Sequence, residues 1–275
     1  YNLYFIMAIY DCFQFFNETH ILDIRLNILN EFVDHFVIVE STTDHQGKKK
    51  KLNFDKENFK SFNKKIIYIV VDDTADAIKR PHMGGESLVE QHQRNSLIRG
   101  LKNCHDNDLI ILSDVDEIPD LTKLNKFNKR KKYAVFCQRM FNYKINLLNE
   151  TENNWHGSKI CLKKDLKSPQ WLRNLKFKQY PFWRIDKPRN FQIIENGGWH
   201  FAYLQNPENI SKKIQSFAHG EFNNPNFADY KNIKKKISMG KDIFDRKISY
   251  KKIQIDSSFP KYIIENKEKL KDWII

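Results

Sequence analysis

The acidic segment Asp108–Asp120 carries the residues of this chain that are best suited to bind a cation. Leu109–Leu112 is a short apolar run without alternation, which is typical of a strand buried on both faces of a sheet. Asp114 and Asp116 follow this run, and side chains two positions apart on an extended segment point the same way. Two such carboxylates repel each other unless a cation lies between them. Hard oxygen ligands suit Mg²⁺ or Mn²⁺, ions that commonly also bind substrate phosphates.

An ordinary loop is the alternative interpretation of the same segment. Asp, Ser and Pro are common after strands, and an Asp often caps the helix that follows. The preceding buried strand favours a binding site, because ligands of open α/β sheets lie outside the carboxyl ends of the strands. We therefore expect Asp114 and Asp116 to hold a metal ion.

The elements before the acidic segment predict the opening of a doubly wound α/β sheet. Apolar runs at Ile9–Phe16, Phe36–Val39 and Lys65–Val71 indicate three strands. A helical stripe over Glu18–Phe32 lies between the first two strands, with Asn17 as the expected N-cap. This order of elements places the acidic segment after a further strand of the same sheet.

A second helix is predicted over Glu86–Asn103, directly before the acidic segment. Its apolar stripe consists of Leu97, Ile98 and Leu101. Arg94 and Glu90 fall on the same face, one and two turns earlier. A guanidinium on an apolar stripe requires an anionic partner, which is either Glu90 itself or a bound substrate.

The remainder of the chain predicts a single domain with a C-terminal helical extension. We expect a basic helix over Leu121–Lys132, a strand or hairpin over Tyr133–Leu148, and a helix over Pro207–Phe217. Pro260–Ile275 indicates a final amphipathic helix. Neither repeats nor flexible linkers divide the sequence.

The second polar cluster is Glu195–His200. Its two glycines permit close backbone approach, and His200 begins an apolar stretch typical of a strand. A histidine at such a strand start suits contact with a ligand or phosphate; the alternative is a hydrogen-bonded core histidine. Four tryptophans in this part of the chain have flat faces that suit either carbohydrate binding or packing of a small subdomain: Trp155, Trp171, Trp183 and Trp199.

Composition narrows the class of protein. The 275 residues are 40% hydrophobic, which allows a substantial core, and no apolar run approaches the ~20 residues of a membrane span. The net charge of +13 comes chiefly from lysine. Because the lysine runs lack the Arg and aromatic interleaving of nucleic-acid readers, we expect a solvated basic surface and no nucleic-acid partner.

Cysteine usage and the first residues bear on the setting of the protein. Four widely spaced cysteines without a C-x-x-C pair, and no basic leader, favour a reducing, cytoplasmic setting without structural zinc. Asn2–Phe5 resembles part of a protease-tag linker. Residues 1–6 are therefore interpreted as a tag remnant, with Met7 as the natural start.

Five short motifs occur in a characteristic order along the chain. They are Ile9–Phe13, Val37–Ser41, Gln93–Asn95, Ser113–Pro119 and Gly198–His200. Together they resemble glycosyltransferase family 17, and the resemblance runs from about Ile9 to Ile275.

The resemblance implies a GT-A-type fold, a doubly wound mixed sheet in one domain over residues 7–275. The nucleotide-sugar half would cover about residues 7–120 and the acceptor half about residues 121–275. It further implies an inverting transfer from a UDP-sugar donor, UDP-GlcNAc, to the hydroxyl of a glycan acceptor, with Mn²⁺ (or Mg²⁺). Because no Golgi anchor is seen, a bacterial or viral glycan made on the cytoplasmic side is expected.

Site residues follow from the matched motifs. Asp114 and Asp116 match the family's D-x-D metal motif, and His200 matches a further metal or diphosphate contact. In the same resemblance, the residues at the expected nucleotide position are Glu40, Gln93 and Arg94.

The sequence leaves alternatives open for the general base and for the reaction class. Glu195 and Glu221 are the two candidates for the base, whereas Glu117 is interpreted as a support for the metal ligands. A non-catalytic basic, aromatic protein that binds carbohydrate or nucleic acid would not need Asp114 and Asp116. A D-x-D phosphohydrolase uses a nucleophilic Asp on its first strand, and the three preceding strands argue against that class.

Overall fold

The computed structural model describes residues 7–74, 78, 82–83, 86–178, 183, 191–216 and 225–275. Its strands are β1 Ile9–Gln14, β2 His35–Ser41, β3 Ile66–Val71, β4 His82–Met83, β5 Glu86–Ser87, β6 Leu109–Leu112, β7 Glu117–Pro119, β8 Tyr133–Asn142, β9 Leu147–Asn149, β10 Trp155–Leu162, β11 Phe191–Ile194, β12 Gly198–Ala202 and β13 Tyr250–Lys252. Its α-helices are α1 Thr19–Leu29, α2 Leu88–Asn95, α3 Pro169–Asn174, α4 Pro207–Ser216, α5 Pro225–Ala228, α6 Tyr230–Ser238 and α7 Lys261–Glu265. The proposed tag remnant, residues 1–6, and Glu221 lie outside the described residues.

Four parallel strands form one half of the sheet, in the order β3-β2-β1-β6. This confirms the strands expected from the apolar runs. In β6 all four residues are buried, because apolar clusters cover both faces of the sheet. The helix between β1 and β2 begins at Thr19, and its N-cap is Glu18, so the expected Asn17 cap is wrong. The Glu18 carboxylate instead accepts hydrogen bonds from the main-chain N–H groups that precede the helix.

The other half of the sheet makes it mixed. Strand β10 runs antiparallel to both β6 and β8, whereas β11 and β12 run parallel to β8. Together these strands form one eleven-stranded sheet. The hairpin expected over Tyr133–Leu148 is confirmed, since β8 pairs antiparallel with β9. The predicted mixed α/β sheet in a single domain is therefore confirmed.

Three predicted helices are shorter than expected. The basic segment after β7 forms two 3₁₀ turns, Leu121–Lys126 and Lys129–Lys131, although Leu121 and Phe127 are buried in the core. The helix predicted over Glu86–Asn103 is α2 followed by the 3₁₀ helix Ser96–Leu101, and Ile98 is exposed. The C-terminal segment is α7 followed by the 3₁₀ helix Lys271–Trp273.

The C-terminal elements pack on helix α1. Ile263 and Leu270 are buried in the same apolar cluster as the inner face of α1, and Trp273 stacks on His20 with ring centroids 4.4 Å apart. The C-terminal extension thus covers the helix that follows β1. Among the helices of the described residues, none combines the length and apolar character needed to cross a membrane.

A buried arginine of α1 ties three parts of the fold together. Arg25 is fully buried, and its Nε and Nη2 donate to the two carboxylate oxygens of Asp11 in β1, at 2.8 and 2.6 Å. Nη2 also donates to the Ser113 hydroxyl at 2.6 Å. Nη1 donates to three main-chain carbonyl oxygens of the loop after β6, those of Asp114, Val115 and Glu117. One side chain therefore fixes the backbone that carries the acidic motif.

A second buried cation lies in β10. Lys159 is 3% exposed, its ammonium lies 5.8 Å from the centroid of the Phe177 ring, and Nζ donates to the main-chain carbonyl of Arg173. Burial, followed by the nearby Arg173 charge, lowers the pKa of Lys159 to about 7. Folding therefore favours the neutral amine.

Replacing Arg25 by an apolar side chain of similar length should destabilise the fold strongly. Arg25→Met leaves the Asp11 carboxylate buried without its partner and frees three loop carbonyls, so we expect the free energy of unfolding to fall by about 3–5 kcal/mol. Urea unfolding of both proteins measures this. The matched control is Arg99→Met, which breaks a half-exposed pair with Asp73 and should cost under about 1 kcal/mol. Equal losses of stability in the two variants would refute the conclusion that the buried Arg25 contributes more to folding than the half-exposed Arg99.

The Lys159→Met variant should change how stability depends on pH. In the folded protein Lys159 loses its proton near pH 7, but in the unfolded chain it keeps it up to about 10.5. The unfolded state therefore binds more protons between these values, and wild-type stability from this group rises with pH across them. We expect the variant to gain roughly 1–3 kcal/mol over wild type at about pH 6, and less at about pH 9.5. Urea unfolding at both pH values tests this, and an equal gain at both would contradict it.

Candidate active site

A cavity of about 430 Å³ opens at the carboxyl ends of the parallel strands. Gln14 ends β1, Thr43 follows β2 and Asp114 follows β6, and all three line it. Side chains from α2, β12 and α4 complete the wall. This is where open α/β sheets bind ligands, and the volume suits a small-molecule substrate.

Asp114 lies between two guanidinium groups. Its Oδ2 is 2.6 Å from Nη2 of Arg173, and its Oδ1 is 3.5 Å from Nη2 of Arg94. Desolvation would raise the pKa of Asp114, but the charges of Arg173 and Arg94 outweigh it and hold that pKa well below its ordinary value. Asp114 is therefore a fixed anion in the cavity wall.

Arg94 forms the pair with Glu90 that was one of the two alternatives left open by the sequence. It donates to Glu90 on the same helix at 2.6 Å and to the side chain of Gln170 at 2.7 Å. At the same time it lines the cavity next to Asp114. The contact with Glu90 on the same helix thus holds the guanidinium in place, and its charge still faces the cavity.

Asp116 faces the histidine of the second polar cluster. Nε2 of His200 lies 3.6 Å from Oδ1 of Asp116, and Nζ of Lys213 lies 3.9 Å from Oδ2. Burial lowers the pKa of His200, but Asp116 outweighs this and raises it above the ordinary value. Nδ1 of His200 is buried and has no hydrogen-bond partner within the part of the chain that the structure describes.

Strand pairing brings these two clusters together. In β12, His200 pairs antiparallel with Glu117, and the N–H of Phe201 donates to the carbonyl of Asp116 at 2.9 Å. Gly198 starts this strand with φ +138°, and a Cβ there would lie 2.2 Å from the carbonyl oxygen of Ile118. Only glycine allows the two segments to approach this closely, as the sequence predicted for this cluster.

The buried side chain of Glu117 stabilises the acidic loop. Its carboxylate is buried and accepts the N–H of Asp114 at 3.1 Å, the indole N–H of Trp155 at 2.7 Å and Nη2 of Arg173 at 3.2 Å. These contacts match the supporting position expected of Glu117. They leave its oxygens engaged with protein donors.

A divalent ion fits Asp116 and His200 better than it fits Asp114. Two atoms that each lie about 2.1 Å from one ion are roughly 3 Å apart in octahedral geometry, close to the 3.6 Å between Asp116 and His200. The Asp114 oxygens face guanidinium groups instead. Within the described residues, no group of three or more His, Cys, Asp and Glu side chains could hold a metal. An ion here would need substrate or water oxygens to complete its shell.

Cationic side chains surround the same space. Lys213 is held at 3.0 Å from Glu18, and Arg246 by Asp242 through Nε at 3.0 Å and Nη2 at 2.9 Å. Both line the cavity with Arg94. The arrangement suits an anionic ligand, because these charges are fixed before it arrives.

Five of the predicted site residues meet at this cavity: Gln93, Arg94, Asp114, Asp116 and His200. Glu40 does not line it. Its fully buried carboxylate accepts Nζ of Lys50 at 2.6 Å, the main-chain N–H groups of Asn53 and Phe54, and the Tyr68 hydroxyl at 2.9 Å. Glu40 therefore fastens the loop after β2 rather than facing the expected nucleotide position.

Of the two predicted bases, only Glu195 lies within the described residues, and it is not at the cavity. Glu195 is exposed in the turn between β11 and β12, does not line the cavity and lies beside Cys137. Burial, with the Glu195 charge next, raises the pKa of Cys137 to about 11. Glu221 belongs to the part of the chain that the structure does not describe.

Several other residues that line the cavity or contact its acidic loop gave no local signal in the sequence. Lys213 and Arg246 resemble the many other basic residues, and Arg173 reaches Asp114 from 59 positions away. Of the tryptophans, Trp155 lines the cavity, whereas Trp199 is buried and donates to a main-chain carbonyl. Only the three-dimensional arrangement separates these residues from their neighbours in the sequence.

Comparison with known proteins agrees with this geometry. The chain is 23% identical over 239 residues to the β-1,4-mannosyl-glycoprotein 4-β-N-acetylglucosaminyltransferase of Homo sapiens, and 23% identical over 245 residues to that of Rattus norvegicus. Each alignment covers 78% of this chain but 43% of the relative, so the chain spans less than half the length of these curated relatives. The family model of glycosyltransferase family 17 matches residues 5–271. Since this match runs over nearly the whole sequence, the chain belongs to glycosyltransferase family 17.

Proposed function

We propose that the protein transfers GlcNAc from UDP-GlcNAc to a glycan hydroxyl, with inversion at the anomeric carbon and with a bound divalent metal. The observation that carries the proposal is the pair of Asp116 and His200, which lie 3.6 Å apart in the wall of a cavity that also holds fixed cations. Membership of the family supports glycosyl transfer as the reaction. The relatives' name describes N-acetylglucosaminyl transfer to a mannosyl-glycoprotein, which supports GlcNAc as the donor sugar and a mannose-containing glycan as the first acceptor to test.

The residues of the cavity would divide the work of binding the donor. Asp116 and His200 would hold the metal, whose positive charge offsets the charge that develops on the departing diphosphate. Arg94 and Lys213 add fixed positive charge on either side of the acidic loop. Asp114 is ionised and paired with two guanidinium groups, which leaves the metal to Asp116 and His200.

The fold is part of the same proposal. The parallel order β3-β2-β1-β6, continued by an antiparallel strand, supports a GT-A-type fold with its nucleotide-sugar half over about residues 7–120. The acceptor half over about residues 121–275 would contribute Trp155, whose flat ring lines the cavity and suits stacking against a sugar.

Metal-dependent binding of UDP tests the proposal. Wild-type protein should bind UDP more tightly with Mn²⁺ than without, and Mn²⁺ should act better than Mg²⁺ because an imidazole ligand favours a transition metal. Asp116→Asn should weaken UDP binding in Mn²⁺ by at least about tenfold, or ~1.4 kcal/mol. Titration calorimetry measures both constants.

The matched control for this test is Asp106→Asn, an exposed acid that does not line the cavity. It should bind UDP as the wild type does. If neither metal changes UDP binding by the wild type, the proposal is refuted. Metal-independent binding of glycan or RNA instead would support a non-catalytic binding protein.

A further inference from the structure

The transfer proposed above needs a carboxylate that removes the proton of the attacking hydroxyl, and most acids of the cavity are already engaged. Those of the loop after β6 are paired with basic side chains. Glu18 accepts Nζ of Lys213 at 3.0 Å, and Glu90 accepts Nη2 of Arg94 at 2.6 Å. Asp44 is tied to main-chain N–H groups of its own turn. None of these can easily take up a proton from a substrate.

Glu152 differs from them in its surroundings. It lies in the connection between β9 and β10, is exposed, and lines the cavity. Within the described residues no ion pair with Glu152 is formed, and the nearby Arg246 is held by Asp242. Among the described residues, the hydrogen-bond contact of its carboxylate is a long one, 3.5 Å from Nδ2 of Asn149. The oxygens of Glu152 therefore remain available to a bound hydroxyl.

A buried side chain fixes the position of Glu152. Asn149 is fully buried, and its Oδ1 accepts the main-chain N–H of Glu152 at 2.9 Å. Nδ2 of Asn149 lies 3.8 Å from Sδ of Met140, which lines the cavity and pairs in register with His200. Glu152 is thus held beside the strand pair that carries His200, and not within the group of acids around Asp116.

We propose that Glu152 is the general base of the transfer. This assignment rests on the proposed function. The carboxylate of Glu152 takes the proton of the acceptor hydroxyl. At the same time, the oxygen of that hydroxyl forms a bond to the anomeric carbon. The bond from that carbon to the UDP oxygen breaks, and its electron pair leaves with the diphosphate. The proton then passes from Glu152 to solvent, which restores the carboxylate.

The position of Trp155 on the cavity wall supports this assignment. Trp155, three positions after Glu152, lines the same cavity, and its indole N–H is bonded to Glu117. One segment of chain therefore presents both a flat ring and an available carboxylate. An acceptor sugar that stacks on the ring would lie on the same segment of the cavity wall as the carboxylate.

Glu152→Gln tests the base while keeping the shape of the side chain. Release of UDP from UDP-GlcNAc is measured in Mn²⁺ with a panel of p-nitrophenyl glycosides that includes the β-mannoside. We expect kcat to fall by at least about 100-fold. The Kd for UDP in Mn²⁺ should stay within about threefold of wild type, because Glu152 does not contact the proposed metal ligands. The matched control is Glu150→Gln, two positions earlier and bonded to Ser249, which should change neither value.

The outcomes separate the two proposals. If the wild type neither binds UDP with Mn²⁺ nor releases it from UDP-GlcNAc, the proposed function fails and the base fails with it. If the wild type is active and Glu152→Gln keeps kcat within about threefold, only the base assignment is overturned. Loss of UDP binding together with activity would also overturn it, since Glu152 would then support the donor site and not the proton transfer. Glu221→Gln, measured in parallel, identifies the rival base if it alone abolishes turnover.

Discussion

The buried guanidinium of Arg25 is the interaction on which the candidate site depends. Removing a charge from water is costly, and the cost is offset only where a partner charge and further hydrogen bonds satisfy the group. Arg25 meets this condition through Asp11, Ser113 and the carbonyls of the acidic loop. Because those acceptors belong to β1 and to the loop after β6, the same bonds fix the position of the loop relative to β1. The directions of the Asp114 and Asp116 side chains depend on that backbone.

The two aspartates of one short motif consequently differ in chemical freedom. Asp114 is held by Arg173 and Arg94, which keep it ionised and give it a structural use. Asp116 faces an imidazole and an ammonium at the longer distances of 3.6 and 3.9 Å. Part of the contrast arises from elements later in the chain, since Arg173 comes from α3 and His200 from β12.

The sequence predicts this arrangement where local rules apply. Unbroken apolar runs identify the buried strands, and the spacing of Asp114 and Asp116 after one of them predicts the cavity edge. Local rules fail for Glu40, which also ends a buried strand but is enclosed by donors from Lys50 to Tyr68. The shortened helices and the approach of Arg173 depend on contacts made far along the chain. Glu152 had no signal at all, because its availability depends on Asp242, which holds the nearby Arg246.

The pairing of strand β6 affects how the chain folds. This strand pairs on one side with β1, whose Ile9 faces Leu109, and on the other with β10, whose Lys159 faces Leu112. The first pairing closes a loop of about a hundred residues, so contact order is high and assembly is expected to be slow. Until β10 leaves the ribosome, β6 exposes an apolar edge of Leu109–Leu112 with unpaired backbone groups. A nascent chain paused before Trp155 would therefore be open to aggregation, and to protection by chaperones.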